Sequence, residues 1–279
     1  MHATKRLLLL GGLILGLVTF ATAATADSIN SINFETYNTG SINGQQGWTK
    51  TGPFDATVNN VNQRYGFGNQ ALRISDAVTS GSFGDQTFSP GLSNAAGENP
   101  SKQLFNSSFR IGTTQDALQT GLHLSVSPDS GDGGRMTYVR FEDQAEGIHV
   151  FFDDVTNPGP VGTESTFNET DIATLARTRA HTIAFSVHFF PGPHNDWVAV
   201  YVDGMRRITG TTWEDYYRFD PEQTPTGNVI PLVSKMLFRV SGDAHPLNEG
   251  KGFLVDGLSL SSSNVPSLGS STSTIGARK

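Results

Sequence analysis

The chain has 279 residues, a formal net charge of −7, 31 glycines, 16% charged residues and no cysteine. The missing cysteine excludes disulfides, thiol catalysis, cysteine-bound metal and cysteine lipidation. The acidic balance opposes binding to the phosphates of nucleic acid and anionic membrane. Abundant glycine with little charge implies many turns and few exposed helices, and so an all-β protein.

In chain order, Lys5 and Arg6 precede an apolar run from Leu7 to Phe20 and then Ala21-Thr22-Ala23-Ala24-Thr25-Ala26. A basic start, an apolar middle and a small-residue end predict a secretory signal peptide over 1–26. It would be cut after Ala26, with Ala23 as the second choice, giving a secreted product, extracellular or periplasmic. Removing it leaves 253 residues, and losing Lys5 and Arg6 takes the net charge to −9. No later apolar run reaches the length of a membrane span. The stretch 30–69 reads as edge strands and loops of the same domain.

Period-two alternation then recurs. It runs through Gln70-Ala71-Leu72-Arg73-Ile74-Ser75, Leu104 to Ile111, Leu122 to Val126, Met136 to Glu142, Ile148 to Asp153, Thr182 to Phe189, Trp197 to Val202, Met236 to Val240 and Phe253 to Leu260. Many short alternating segments separated by turn residues predict an antiparallel sandwich or barrel. Ser130-Gly131-Asp132-Gly133-Gly134, Pro191 to Asp196 and Asp203-Gly204 read as turns between strands. A short helix is expected over Glu169 to Arg177, capped by Thr170 or Asp171, as a connector. Ser261 to Lys279 is Ser-rich and aperiodic, and reads as a disordered tail after a domain spanning 27–260.

His181-Thr182-Ile183-Ala184-Phe185, Asn195 to Gly204 with its Val200-Tyr201-Val202-Asp203-Gly204 strand-turn, and Gly252 to Leu260 resemble the concanavalin A-like jelly roll. That superfamily includes laminin G-like domains, legume lectins and polysaccharide-degrading enzymes. Phe34-Glu35, Trp48, Ala71 to Ser75, Gly81 to Gln86 and Gly210 to Arg218 resemble other secreted microbial proteins of this kind. The likeness covers about 29–260. It implies a two-sheet antiparallel β-sandwich and leaves function open, because this fold hosts binders, enzymes and structural modules.

Alternation assigns Val139, Phe141, Ile148, Val150, Ile183, Phe185, Val198, Val200 and Phe238 to the core. The opposite set is Arg73, His123, Tyr138, Arg140, His149, His188, Trp197, Tyr201 and Arg239. In the resembled fold the outer face of one sheet holds ligand, so this set would line a sugar groove: aromatic rings stack on sugars and Arg forks to carboxylates. The competing expectation divides the nine between two sheets, since alternation fixes the face and not the sheet. The implied role is a non-catalytic module binding a glycan or another cell-surface or matrix component. Two alternatives stand beside it: a purely structural exported domain, and a lyase cleaving a uronic acid polymer. The lyase would use His149 with Tyr138 or Tyr201 beside Arg140, Arg73 or Arg239. Gly147-Ile148-His149-Val150 resembles the Gln-Ile-His strand of such lyases only in part, and 71–75 lacks their second Arg and their Glu. A glycosidase needs two carboxylates on one face, whereas Glu142 and Asp143 point to opposite faces and Glu214-Asp215 reads as a loop. The one cofactor the loops suggest is calcium, at Asp129 and Asp132 or at Asp153 and Asp154. Asn106-Ser107-Ser108 and Asn168-Glu169-Thr170 are glycosylation sequons that matter only in a eukaryotic secretory path. Trp213 to Tyr217 is an aromatic cluster that reads as a plug over the sandwich edge or as a ligand loop.

Overall fold

The computed structural model of the protein describes residues 26–81, 83–98 and 102–264. The expected signal peptide, Ala26 apart, lies outside the described residues, as does the chain after residue 264. Sixteen strands are described: β1 (Asp27–Ile32), β2 (Gly40–Ser41), β3 (Thr49–Thr51), β4 (Asp55–Asn60), β5 (Gln70–Ser75), β6 (Gln86–Phe88), β7 (Leu104–Thr113), β8 (His123–Asp129), β9 (Tyr138–Gln144), β10 (Gly147–Thr156), β11 (Thr166–Leu175), β12 (His181–His188), β13 (Trp197–Val202), β14 (Met205–Thr211), β15 (Lys235–Arg239) and β16 (Phe253–Ser263). A single α-helix among the described residues, α1 (Glu214–Phe219), lies between β14 and β15.

The strands form two antiparallel sheets. One has nine strands in the order β14-β13-β12-β7-β16-β5-β4-β2, with β1 also on β16; the other has seven, β11-β10-β9-β8-β15-β6-β3. This is the two-sheet antiparallel β-sandwich that the resemblance implied. The core follows from the pleat: alternate residues of facing sheets turn inward and interdigitate. On β9, Val139 and Phe141 are buried between Tyr138, Arg140 and Glu142, which face out. Phe109 of the nine-stranded sheet meets Phe141 and Phe238 of the other edge-on, at ring separations of 6.3 and 5.8 Å. Trp48 extends the layer to Phe238, and Phe253 to Phe141.

Three expectations need correction. Glu169 to Arg177 is not a helix: residues 166–175 form β11, paired along its length with β10. An exposed edge strand carrying Asn, Glu and Asp lacks the apolar face that alternation detects, while its Thr and Phe residues suit the pleat. The helix falls instead on Glu214–Phe219, where Trp213 and Tyr217 join the core. Finally, β16 runs past residue 260: Ser261, Ser262 and Ser263 pair with Asn106, Phe105 and Leu104.

Gly252 opens β16 at φ +133°, and a Cβ there would lie 2.2 Å from the Ile74 carbonyl oxygen. That neighbour is backbone and cannot swing away. Gly252→Ala is therefore expected to lower stability by at least about 2 kcal/mol. A denaturant midpoint equal to that of the natural protein would contradict this.

Candidate functional site

Strand register decides which sheet each outward residue belongs to. His123, Tyr138, Arg140, His149 and Arg239 lie on strands of the seven-stranded sheet; Arg73, His188, Trp197 and Tyr201 lie on strands of the nine-stranded sheet. The two outer faces are on opposite sides of the sandwich, so the nine do not line one groove. Three of the four on the nine-stranded sheet have side-chain partners of their own. Arg73 donates to the Lys251 carbonyl at 2.8 Å and contacts Asp55 at 2.5 Å. His188 stacks on Trp197 at 3.7 Å, and burial pushes its imidazole pKa down. Tyr201 opens on a shallow cavity floored by small side chains such as Ser108, Ala184 and Ser186.

On the seven-stranded sheet the registers draw one line across the outer face: Gln86, Arg239, Ser125, Arg140, Phe151 and Asp171. Arg140 is fully engaged. Its guanidinium forks onto Glu169 at 2.7 Å, pairs with Glu142 and lies over the Phe151 ring. His149 binds Asp171 through Nδ1 at 2.6 Å and stacks on Phe151. Tyr138 opposes Asp153, four residues of strand from His149, or about 13 Å along the sheet. Burial and Asp153 hold the Tyr138 hydroxyl well above the usual phenol range, so it remains a proton donor. The expected lyase grouping of His149, Tyr138 or Tyr201, and Arg140 is therefore not assembled. Tyr201 is on the other sheet, Tyr138 is too distant from His149, and Arg140 is neutralised.

The other end of this face differs. Arg239 is 5% exposed, and its Nε and Nη1 find no hydrogen-bond acceptor among the described residues. Phe83, 70% exposed, lies over its guanidinium at 4.7 Å. Burial and the nearby charge of Arg135 lower the Arg239 pKa to about 10. The Arg135 side chain makes no hydrogen bond or ion pair among the described residues and lies over the Trp213 ring at 5.6 Å. Arg135 lines a cleft of about 550 Å³ with Trp213, Tyr216 and Tyr217, and Arg239, on β15, is close enough for the Arg135 charge to act on it. Trp213 meets Tyr138 edge-on at 5.5 Å, which joins the cleft to the sheet face. Phe167, half-exposed on β11, closes the aromatic group against Trp213 and Tyr216. Asp132 also lines the cleft, and the buried Asp129 carboxylate acts on both arginines at a distance, but neither guanidinium has a carboxylate in ion-pair contact among the described residues. Aromatic walls with two such cations suit an anionic ligand with an apolar face.

Alternation pointed to Tyr138 and Arg239 but missed Arg135, Phe83 and Phe167, which sit in loops or on an edge strand. The signal for Trp213, Tyr216 and Tyr217 was their clustering, already visible in the chain.

The aspartates considered for calcium occur as two separate pairs, each with hydrogen-bond or electrostatic partners of its own. Asp129 Oδ1 accepts from the Gly131 and Gly133 amides, and Asp132 from Gly134, as turn-forming contacts. Asp153 faces outward beside Tyr138, while Asp154 accepts from Thr211 across the sandwich.

A separate carboxylate trio, Glu98, Asp196 and Glu214, is buried under α1. Its oxygens already accept from the Gly192, Phe190, Asn195 and Asp196 amides, Thr212 and Arg218. Burial, opposed by the Phe190 amide and reinforced by Glu214 and Glu98, raises the Asp196 pKa to about 8. The folded chain thus holds a proton that the unfolded chain releases above about pH 4. The stability contributed by this proton is full below pH 4 and is lost as pH rises to about 8, on the order of a few kcal/mol. Asp196→Asn, which cannot ionise, is expected to match the natural protein near pH 3, to exceed it increasingly above pH 4 and to exceed it most at pH 9. Parallel stability profiles for the two proteins across that range would contradict the assignment.

No protein-family model and no curated protein matches the chain. Among solved structures, an endo-1,3-beta-glucanase from Streptomyces sioyaensis is 11% identical with a TM-score of 0.49, over 88% of this chain and 100% of that one. Domain 4 of an extracellular arabinanase from Geobacillus stearothermophilus, in complex with arabinotriose, is 12% identical with a TM-score of 0.41, over 85% and 93%. An endo-beta-1,4-glucuronan lyase from the fungus Trichoderma reesei is 15% identical with a TM-score of 0.38, over 86% and 94%.

Proposed function

We propose that the protein is a secreted, non-catalytic module that binds an acidic polysaccharide at the cleft between the 130–135 turn and α1 and on the adjoining face of the seven-stranded sheet. The observation that carries this reading is the pair Arg135 and Arg239. Two neighbouring guanidinium groups raise each other's energy, the Asp129 carboxylate offsets this only at a distance, and Arg239 Nε and Nη1 find no acceptor among the described residues. A buried cation with unmet donors is costly, and folding alone gives no reason to keep it. A uronate carboxylate would supply the missing acceptors and charge, while Trp213, Tyr216 and Phe83 would pack against sugar rings. The chain as a whole is acidic, so attraction for a polyanion must be local to this site.

The non-catalytic part rests on the separation of His149 from Tyr138 and on the engaged state of Arg140. The test is equilibrium binding to polygalacturonate and to a neutral β-glucan, with absorbance of unsaturated uronate followed in the same samples. The reading expects retention of the uronate polymer without a rise in absorbance. A rise in absorbance would replace it with the lyase, and no binding to either polymer would leave a structural domain.

A further inference from the structure

We infer that Asp76, His123 and His245 form a binding site for a zinc-type divalent cation at one end of the sandwich. Asp76 directly follows β5, His123 opens β8, and His245 lies in the loop between β15 and β16. The three are distant in sequence, and their donor atoms converge. Asp76 Oδ2 is 3.1 Å from His245 Nδ1 and 3.5 Å from His123 Nδ1, and all three atoms lie within 4.8 Å of one another. Ligands at about 2.0–2.1 Å from a tetrahedral ion are separated by about 3.3 Å, so both separations are those of neighbouring ligands on one ion. The Gly121 carbonyl places a further oxygen 2.9 Å from His123 Nδ1.

The surroundings orient these groups as ligands require. His123 turns its other nitrogen, Nε2, to the Ser241 carbonyl. That contact makes Nε2 the N–H; Nδ1, which lies 2.9 Å from the Gly121 carbonyl, would turn its lone pair from that contact to the ion, the arrangement usual for metal-bound imidazole. Asp76 is fully buried; its second oxygen accepts from Asn248 Nδ2 at 2.8 Å, which holds the carboxylate in place. His245 donates its backbone N–H to the Asp76 carbonyl and stacks over Gly121, where a Cβ would lie 2.3 Å from its ring. Glycine at 121 is what lets the imidazole close on the site. His245 is about one-third exposed, which gives an entry path. Two imidazole nitrogens with one carboxylate favour zinc, copper, nickel or iron(II) over calcium, which takes oxygen.

The ion would tie together the end of β5, the start of β8 and the loop before β16. In a chain without cysteine it would stand where a secreted protein commonly carries a disulfide. This site is separate from the arginine cleft, so either can fail without the other.

The test uses the protein stripped of metal by a chelator and titrated with zinc chloride, followed by calorimetry and thermal unfolding. The expected result is one zinc ion per chain, with a rise in Tm that the chelator reverses. His245→Ala should weaken zinc binding by about 10–100-fold or more while leaving the metal-free Tm close to that of the natural protein. Asp76→Asn should do the same where it folds, and His245→Ala decides the matter where it does not. His149→Ala, which removes an imidazole on the sheet face, should bind zinc normally, and calcium should produce no shift. The inference is overturned if the natural protein takes up no zinc, or if His245→Ala binds it as tightly as the natural protein does.

Discussion

Replacing Arg239 by methionine is expected to reduce binding of a uronate polymer by about 10–100-fold while leaving the unfolding midpoint unchanged or raising it. The two halves of this result come from one cause. A charge-assisted hydrogen bond to a ligand carboxylate contributes about 1.5–3 kcal/mol. The same guanidinium, buried with two donors unmet and pushed to a pKa of about 10, weakens the unliganded fold. An apolar side chain of similar length fills its space without that penalty, as in buried charge-to-hydrophobic replacements elsewhere. A structural arginine would behave oppositely, with lower stability and unchanged binding. Arg135→Ala should give the same loss of binding with little effect on stability, since the Arg135 side chain makes no hydrogen bond or ion pair among the described residues and only a contact with the Trp213 ring. Losing stability without losing binding, in either variant, would contradict the assignment.

The second large effect concerns the core. Phe109→Ala is expected to destabilise the protein by about 3–5 kcal/mol. Phe109 is fully buried and is the ring through which the nine-stranded sheet meets both Phe141 and Phe238 of the other. Its loss would open a cavity between two sheets that their own hydrogen bonds prevent from collapsing. Because no disulfide limits the unfolded chain, that deficit should appear in full in a urea titration. A loss below about 1 kcal/mol would mean that the inter-sheet layer is not the main support of the fold.

Much of this architecture was legible in the chain, for a definable reason. The strands flanking Val139, Val150, Phe185 and Val200 are buried on one face only, and period-two alternation records that directly. β11 was missed because residues on both of its faces from Thr166 to Asp171 are exposed and mostly polar, so no inner face is marked there. The serines ending β16 pair through backbone alone and leave no side-chain signal. For the site, alternation identified outward residues but could not assign them to a sheet. Tyr138 and Tyr201 look alike in the chain, yet register puts them on opposite sides of the sandwich. Arg135 and Phe83 lie in turns, where no period exists to be read. Their relevance appears only once the fold brings them against Trp213 and Arg239. The pairing of Asp76 with His123 and His245 was likewise invisible, because three segments distant in sequence, the end of β5, the start of β8 and the loop before β16, supply it.

Arg135 and Arg239 are the groups we propose to hold a sugar carboxylate. The most direct measurement compares binding of polygalacturonate with binding of the same polymer after chemical reduction of its carboxyl groups, at one ionic strength. The account predicts that reduction weakens binding to the natural protein at least tenfold and changes little for Arg239→Met. Equal binding of the two polymers by the natural protein would contradict it.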